Sequence, residues 1–178
     1  KVPAFETSYF LSRETVVLGP DPIDAVISIR GNLGSDGGTV ITGSGNGDLT
    51  FGVNDTWLGT DDGDGTGDLS LAHVVMDGKR QSPSAATRSG DNLSWSYQVT
   101  IAPGETIRIL TFAVQELNRA ATHAQADWLL TLPTTALAYL SDGEKASIIN
   151  FDAVGGTGGG LRLAADGNRG LPTRDALR

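Results

Sequence analysis

A chain of 178 residues that is 39% hydrophobic, with a mean hydropathy of -0.10, suits one domain with a sizeable core and excludes wholesale disorder. A net charge of -8 and an isoelectric point near 4.6 leave no basic stripe for nucleic acid or for an anionic membrane. The absence of cysteine removes disulfides, thiolate metal sites and a cysteine nucleophile, and no apolar run approaches the roughly 18–20 residues of a membrane-spanning helix.

Lys1-Val2-Pro3 opens directly into residues of folded character, which suits a mature form or a domain cut from something larger, the second being the expectation. From Phe5 to about Leu18, aromatic, Thr and Val positions suit one or two strands, stopped by Gly19-Pro20-Asp21-Pro22. In Asp24–Arg30, Ala25, Ile27 and Ile29 alternate against Val26, Ser28 and Arg30, as in a strand with one face more buried. Between Gly31 and Thr60, glycine, Asn and Asp turns separate short strands at Thr39–Thr42, Leu49–Val53 and Thr56–Thr60, the pattern of an antiparallel meander. Leu69–Met76 reads as a further strand, and Asp77–Asp91 as a long surface connection.

The clearest strand pair comes next. Leu93, Trp95, Tyr97, Val99 and Ile101 share one face, with Ser94, Ser96, Gln98 and Thr100 opposite. After the turn Ala102-Pro103-Gly104-Glu105 the chain returns as Thr106–Gln115, apolar on both faces beyond Arg108 and therefore a central strand needing a second cover. The helical segment Arg119–Leu132 is the expected cover, capped by Asn118, with Ala121, Ala124, Trp128 and Leu132 on its inner stripe. Ser141 and Glu144 form a capping box for a second helix to about Asn150, burying Ala146, Ile149 and Phe151. The reading is mainly β: an antiparallel β-sandwich of roughly eight to ten strands over residues 1–152. A C-terminal helical hairpin at about 118–151 packs on one sheet, and 153–178 form a Gly-rich linker or tail.

The most chemically pointed segment is the loop in which Asp61, Asp62, Asp64 and Asp68 crowd among three glycines. With Asp62 at position 1 of an EF-hand-like loop, Asp64, Thr66 and Asp68 fall at positions 3, 5 and 7, and Gly67 at the sharp bend. Oxygen donors in that alternation suit a hard cation such as Ca²⁺. The bidentate Glu due at position 12 is replaced by His73, so the match is partial. The competing reading is a solvated hairpin loop in which Asp and Gly are simply good turn formers.

His73, mid-strand between Ala72 and Val74, reads as a packed or hydrogen-bonded sheet residue, and His123 as a surface position on the helix. No G-x-S-x-G elbow and no phosphate-binding G-x-x-x-x-G-K-[ST] occurs. Trp57, Trp95 and Trp128 are all expected in the core, with Trp57 the one with a chance of partial exposure.

At Gly31-Asn32-Leu33-Gly34-Ser35-Asp36-Gly37, Asp55–Asp68 and Pro103-Gly104-Glu105-Thr106 the chain resembles accessory β-sandwich domains of large secreted or cell-surface bacterial proteins. The likeness runs over about residues 5–152, through Gln115-Glu116-Leu117-Asn118-Arg119-Ala120 and Ile148-Ile149-Asn150-Phe151. It implies a modular extracellular setting and carries no activity to any residue. The expectation is a non-catalytic, secreted or surface-exposed structural or interaction module stabilised by Ca²⁺, with neighbouring domains and glycans as partners and neither nucleic-acid binding nor membrane insertion. A carbohydrate-binding module is the alternative. A hydrolase is the weaker one, and would need a pocket bringing His73 or His123 near a carboxylate.

Overall fold

The computed structural model describes residues 21–32, 39–63 and 69–154, together with the backbone course of 8–16. Eight strands are present among them: β1 Ser8–Val16, β2 Ile23–Asn32, β3 Val40–Ser44, β4 Trp57–Asp61, β5 Ser70–Val74, β6 Ala85–Ser89, β7 Asn92–Ile101 and β8 Thr106–Glu116. They form two antiparallel sheets, a five-stranded one in the order β1-β8-β5-β4-β3 and a three-stranded one in the order β2-β7-β6. Two helices follow, α1 Arg119–Leu130 and α2 Asp142–Ala146, with a 3-10 turn at Thr134–Leu137 between them.

The strict alternation of β7 is realised: Leu93, Trp95, Tyr97, Val99 and Ile101 are all buried. Its expected partner is not. The turn Ala102–Glu105 closes on a Glu105 N–H to Ala102 carbonyl bond of 3.0 Å with Gly104 at φ +74, yet β7 and β8 lie in different sheets. The turn is a corner that brings two apolar faces together, and Val99 and Ile101 join Ile107 and Ile109 in one buried cluster with Leu58, Val75 and Trp95. β8 is apolar on both faces because it serves two cores. Ile107 and Ile109 point into that cluster, whereas Leu110, Phe112 and Val114 join Trp57, Ala72 and Val74 beneath Ala126 and Leu129 of α1.

Two local expectations are corrected. Leu49–Val53 is no strand; Asp48 Oδ1 accepts from the Thr50 N–H (2.7 Å) and hydroxyl (2.8 Å), and Asp55 Oδ2 from the Gly52 N–H (2.7 Å). Side-chain oxygens that satisfy the backbone locally leave it unavailable to a ladder. Conversely, the connection 77–91 holds β6, whose Ala-Ala-Thr-Arg-Ser carries too little apolar surface to advertise a strand and is mostly exposed at a sheet edge.

Asn118 caps α1 as expected, its Oδ1 accepting from the Ala121 N–H at 2.9 Å. The buried face is Thr122, Ala126 and Leu129, one position round from the expected stripe, and Trp128 is 45% exposed. Thr122 can turn inward because its hydroxyl donates to the Ser70 carbonyl at 3.2 Å and to the Asn118 carbonyl at 3.1 Å. The Ser141–Glu144 capping box starts α2, which stops at Ala146 rather than near Asn150, leaving Ala146 exposed. Beyond it the chain lies against β8: the Arg108 N–H donates to the Ser147 carbonyl (2.8 Å) and the Ile149 N–H to the Arg108 carbonyl (3.0 Å). Phe151 is fully buried there, edge-on to Phe112, and Ala153 is buried too.

Asn150 secures this closure. It is fully buried, its Nδ2 donating to the carbonyls of Val75 (2.7 Å) and Leu110 (2.6 Å) and its Oδ1 accepting from the Leu110 N–H (2.9 Å). The Tyr97 hydroxyl, at 3.3 Å from Nδ2, donates to the same Val75 carbonyl at 2.5 Å. Burial pushes the Tyr97 phenol well above its ordinary pKa. Truncation of Asn150 strands several backbone groups at once, so Asn150→Ala is expected to lower stability by roughly 2–5 kcal/mol, read as a lower denaturant midpoint. Exposed Trp128→Ala, assayed beside it, should fall within about 0.5 kcal/mol of the parent.

Candidate functional site

A group of polar side chains from distant parts of the chain meets where α1 crosses β3 and β4. Gly43 and Gly59 are direct cross-strand partners, and a Cβ on either would come within 2.8 Å of the His123 ring. The two glycines therefore form a floor on which the imidazole rests. The Trp57 ring stacks beside it, centroids 4.9 Å apart and planes tilted by 37°, and Nε2 of His123 lies 3.0 Å from the Thr42 hydroxyl. One helical turn on, Asp127 Oδ1 accepts from the Trp57 indole N–H at 2.8 Å. Burial holds the His123 pKa below its ordinary value; nearby Asp127 opposes this and the Arg119 charge reinforces it.

One turn earlier on the helix, Arg119 reaches the root of the acidic loop. Its Nε donates to Asp61 Oδ2 at 2.8 Å and a terminal nitrogen donates to the Asp62 carbonyl at 2.7 Å. Asp61 Oδ1 in turn accepts from the Asp62 N–H at 2.9 Å. The Asp61 side chain is almost wholly buried, which makes this charge-assisted pair worth more than a surface one.

The sequence-expected ligands fall as follows. Asp62 sits at the end of β4, its backbone tied to Arg119 and Asp61, while Asp64, Thr66 and Asp68 lie outside the described residues. His73, at the twelfth position of the loop register, stands on β5 opposite Leu58 of β4. It lies between the sheets with the Trp95 ring 5.9 Å away and with Gly31 of β2 so close that a Cβ there would stand 2.7 Å from Nε2. Among the described residues no group of three or more His, Asp or Glu side chains could hold a metal ion.

Sequence reasoning placed His123 on the surface and allowed Trp57 partial exposure. His123 is instead half-buried, whereas Trp57 is buried, as the core reading had it. Arg119, His123 and Asp127 were missed as a set. Their i, i+4, i+8 spacing, a polar stripe down one helix face, is the signal that could have found them. A separate cleft of about 540 Å³ opens at the C-terminal end of α1, lined by Leu130, Leu132, Leu137, Lys79, Lys145 and Asp152; neither histidine reaches it. No protein-family model matches the chain, and no curated protein or solved structure matches it either.

Burial of His73, whose Nδ1 has no hydrogen-bond partner, pushes its pKa from 6.5 down to about 4. The folded state thus favours the neutral ring. The stability this provides is complete above pH 6.5 and is lost as pH falls toward 4, on the order of 3 kcal/mol in all. Denaturant titrations across that window should show the decline, and His73→Met should flatten it.

Proposed function

We propose that the chain is a non-catalytic structural or interaction module of a larger secreted or cell-surface protein. In this reading the two sheets form an antiparallel β-sandwich, the helices form a hairpin over the five-stranded sheet, and the module spaces or docks neighbouring domains. The observation that carries it is the mutual pairing of the polar groups around α1. Asp61 binds Arg119, Asp127 binds the Trp57 indole and His123 contacts Thr42, so the groups that could do chemistry join helix to sheet. Assays for ester, peptide and glycoside hydrolysis test it. No turnover is expected, and turnover abolished by His123→Gln would replace the module reading with a hydrolase.

Calcium belongs to the same proposal, at Asp62, Asp64, Thr66 and Asp68. The alternating oxygen donors and Gly67 support it, and Arg119 anchors the near end of the loop. A structural ion bound to the folded state raises the melting midpoint by mass action. Melts in Ca²⁺ should therefore exceed melts in chelator, and Asp64→Asn with Asp68→Asn should abolish the difference; identical melts would remove calcium from the proposal.

Glycan binding is the second reading. Trp128 at 45% and Tyr139 at 91% exposure are aromatic surfaces of the kind that stack on sugar rings. Retention on a glycan array, lost in Trp128→Ala and Tyr139→Ala, would select it over a purely structural role.

A further inference from the structure

Four strands end the two sheets, and three of them are poor templates for a further strand. β1 is interrupted by a register shift between Ser12 and Thr15, β3 by one between Ile41 and Gly43, and β6 is five residues long. Bulges and brevity are the usual devices that keep sheet edges from pairing with other chains. β2 has neither. It pairs with β7 in unbroken register over ten residues, from Ile23↔Ile101 to Asn32↔Asn92, and among the described residues no strand pairs with its outer edge.

The side chains of β2 are self-complementary. On its outer face run Asp24, Val26, Ser28 and Arg30, all exposed, with Val26 at 66%. On its inner face Ala25, Ile27 and Ile29 are only partly buried against the core. Consider a second β2 laid antiparallel along this edge about a two-fold axis at Ile27. Asp24 then stands opposite the partner's Arg30, Arg30 opposite the partner's Asp24, and Val26 opposite the partner's Ser28. On the inner face Ala25 meets the partner's Ile29 and Ile27 meets the partner's Ile27. Side chains alternate between faces, so only shifts of two residues keep the apolar face inward, and either such shift separates both charge pairs.

We infer that β2 is a homodimerisation edge, along which two copies of this chain join their three-stranded sheets into one continuous sheet of six. The inference goes beyond the module reading and is independent of calcium and glycans. An isologous contact of this kind closes on itself, so assembly stops at two copies.

Sedimentation equilibrium of the 178-residue chain over a range of concentrations tests this, with the mass expected to rise from 18.5 kDa toward twice that value. Arg30→Asp sets like charges opposite each other at two symmetry-related places and should weaken association by about ten-fold or more. Asp24→Arg should do the same, and the double variant Asp24→Arg/Arg30→Asp should recover the parental constant. Circular dichroism melts confirm that each variant folds. A version ending at Val154 should dimerise like the full chain. A monomer at every concentration overturns the inference, as does a dimer indifferent to the single reversals or a double variant no better than the singles. Loss of the dimer on truncation, or its first appearance then, assigns the edge to the chain's own C-terminal segment and overturns it equally.

Discussion

The buried amide of Asn150 is the constraint on which most of the structure depends. Val75 leaves the end of β5, Leu110 lies in the middle of β8, and Tyr97 belongs to β7 in the other sheet; one side chain bonds or touches groups from all three. A fully buried amide is tolerable only when its donors and acceptors are satisfied, so the chain after α2 has a single productive position. That position places Phe151 against Phe112 and fills the floor beneath α1. Packing in the helix-side core and alignment of the two sheets therefore rest on the same group.

The second fixed point is the polar stripe of α1. An Ala-rich helix buries little apolar area per turn, and this one supplies only Ala126 and Leu129 as buried hydrophobic residues. Its placement comes as much from Arg119, His123 and Asp127, each engaged with a group on β3 or β4, as from apolar contact. Directional bonds fix rotation about the helix axis, which apolar contact through small side chains would leave loosely determined.

How far the sequence reveals this differs from element to element. β7 is plain because Trp95 and Tyr97 stand in a nine-residue alternation that no other element produces. The Asn118 and Ser141 caps are equally plain, since capping acts within four residues. The inward face of α1 is not, because alanines at 120, 121, 124 and 126 mark no single stripe and burial of Thr122 depends on a carbonyl fifty-two residues away. The turn at Ala102–Glu105 serves a hairpin or a corner equally well, and only the choice of partners by β7 and β8 distinguishes them. The acidic loop looked self-contained for the same reason: Arg119, which bonds its root at Asp61 and Asp62, is remote in sequence.

The pairing of β1 with β8, Ser8 opposite Ala113, has a consequence for how the molecule comes into being. Of the described strands, the first in sequence waits for the last before it can enter the sheet, and β8 also completes the flank of β5. β3, β4 and β5 pair with their sequence neighbours, as do β6 and β7, so those ladders can form as the chain emerges, whereas β1, β2 and the outer flank of β5 wait for β7 and β8. Until those last strands arrive, the early ladders present open edges to other chains, and exposure to aggregation is concentrated in that interval.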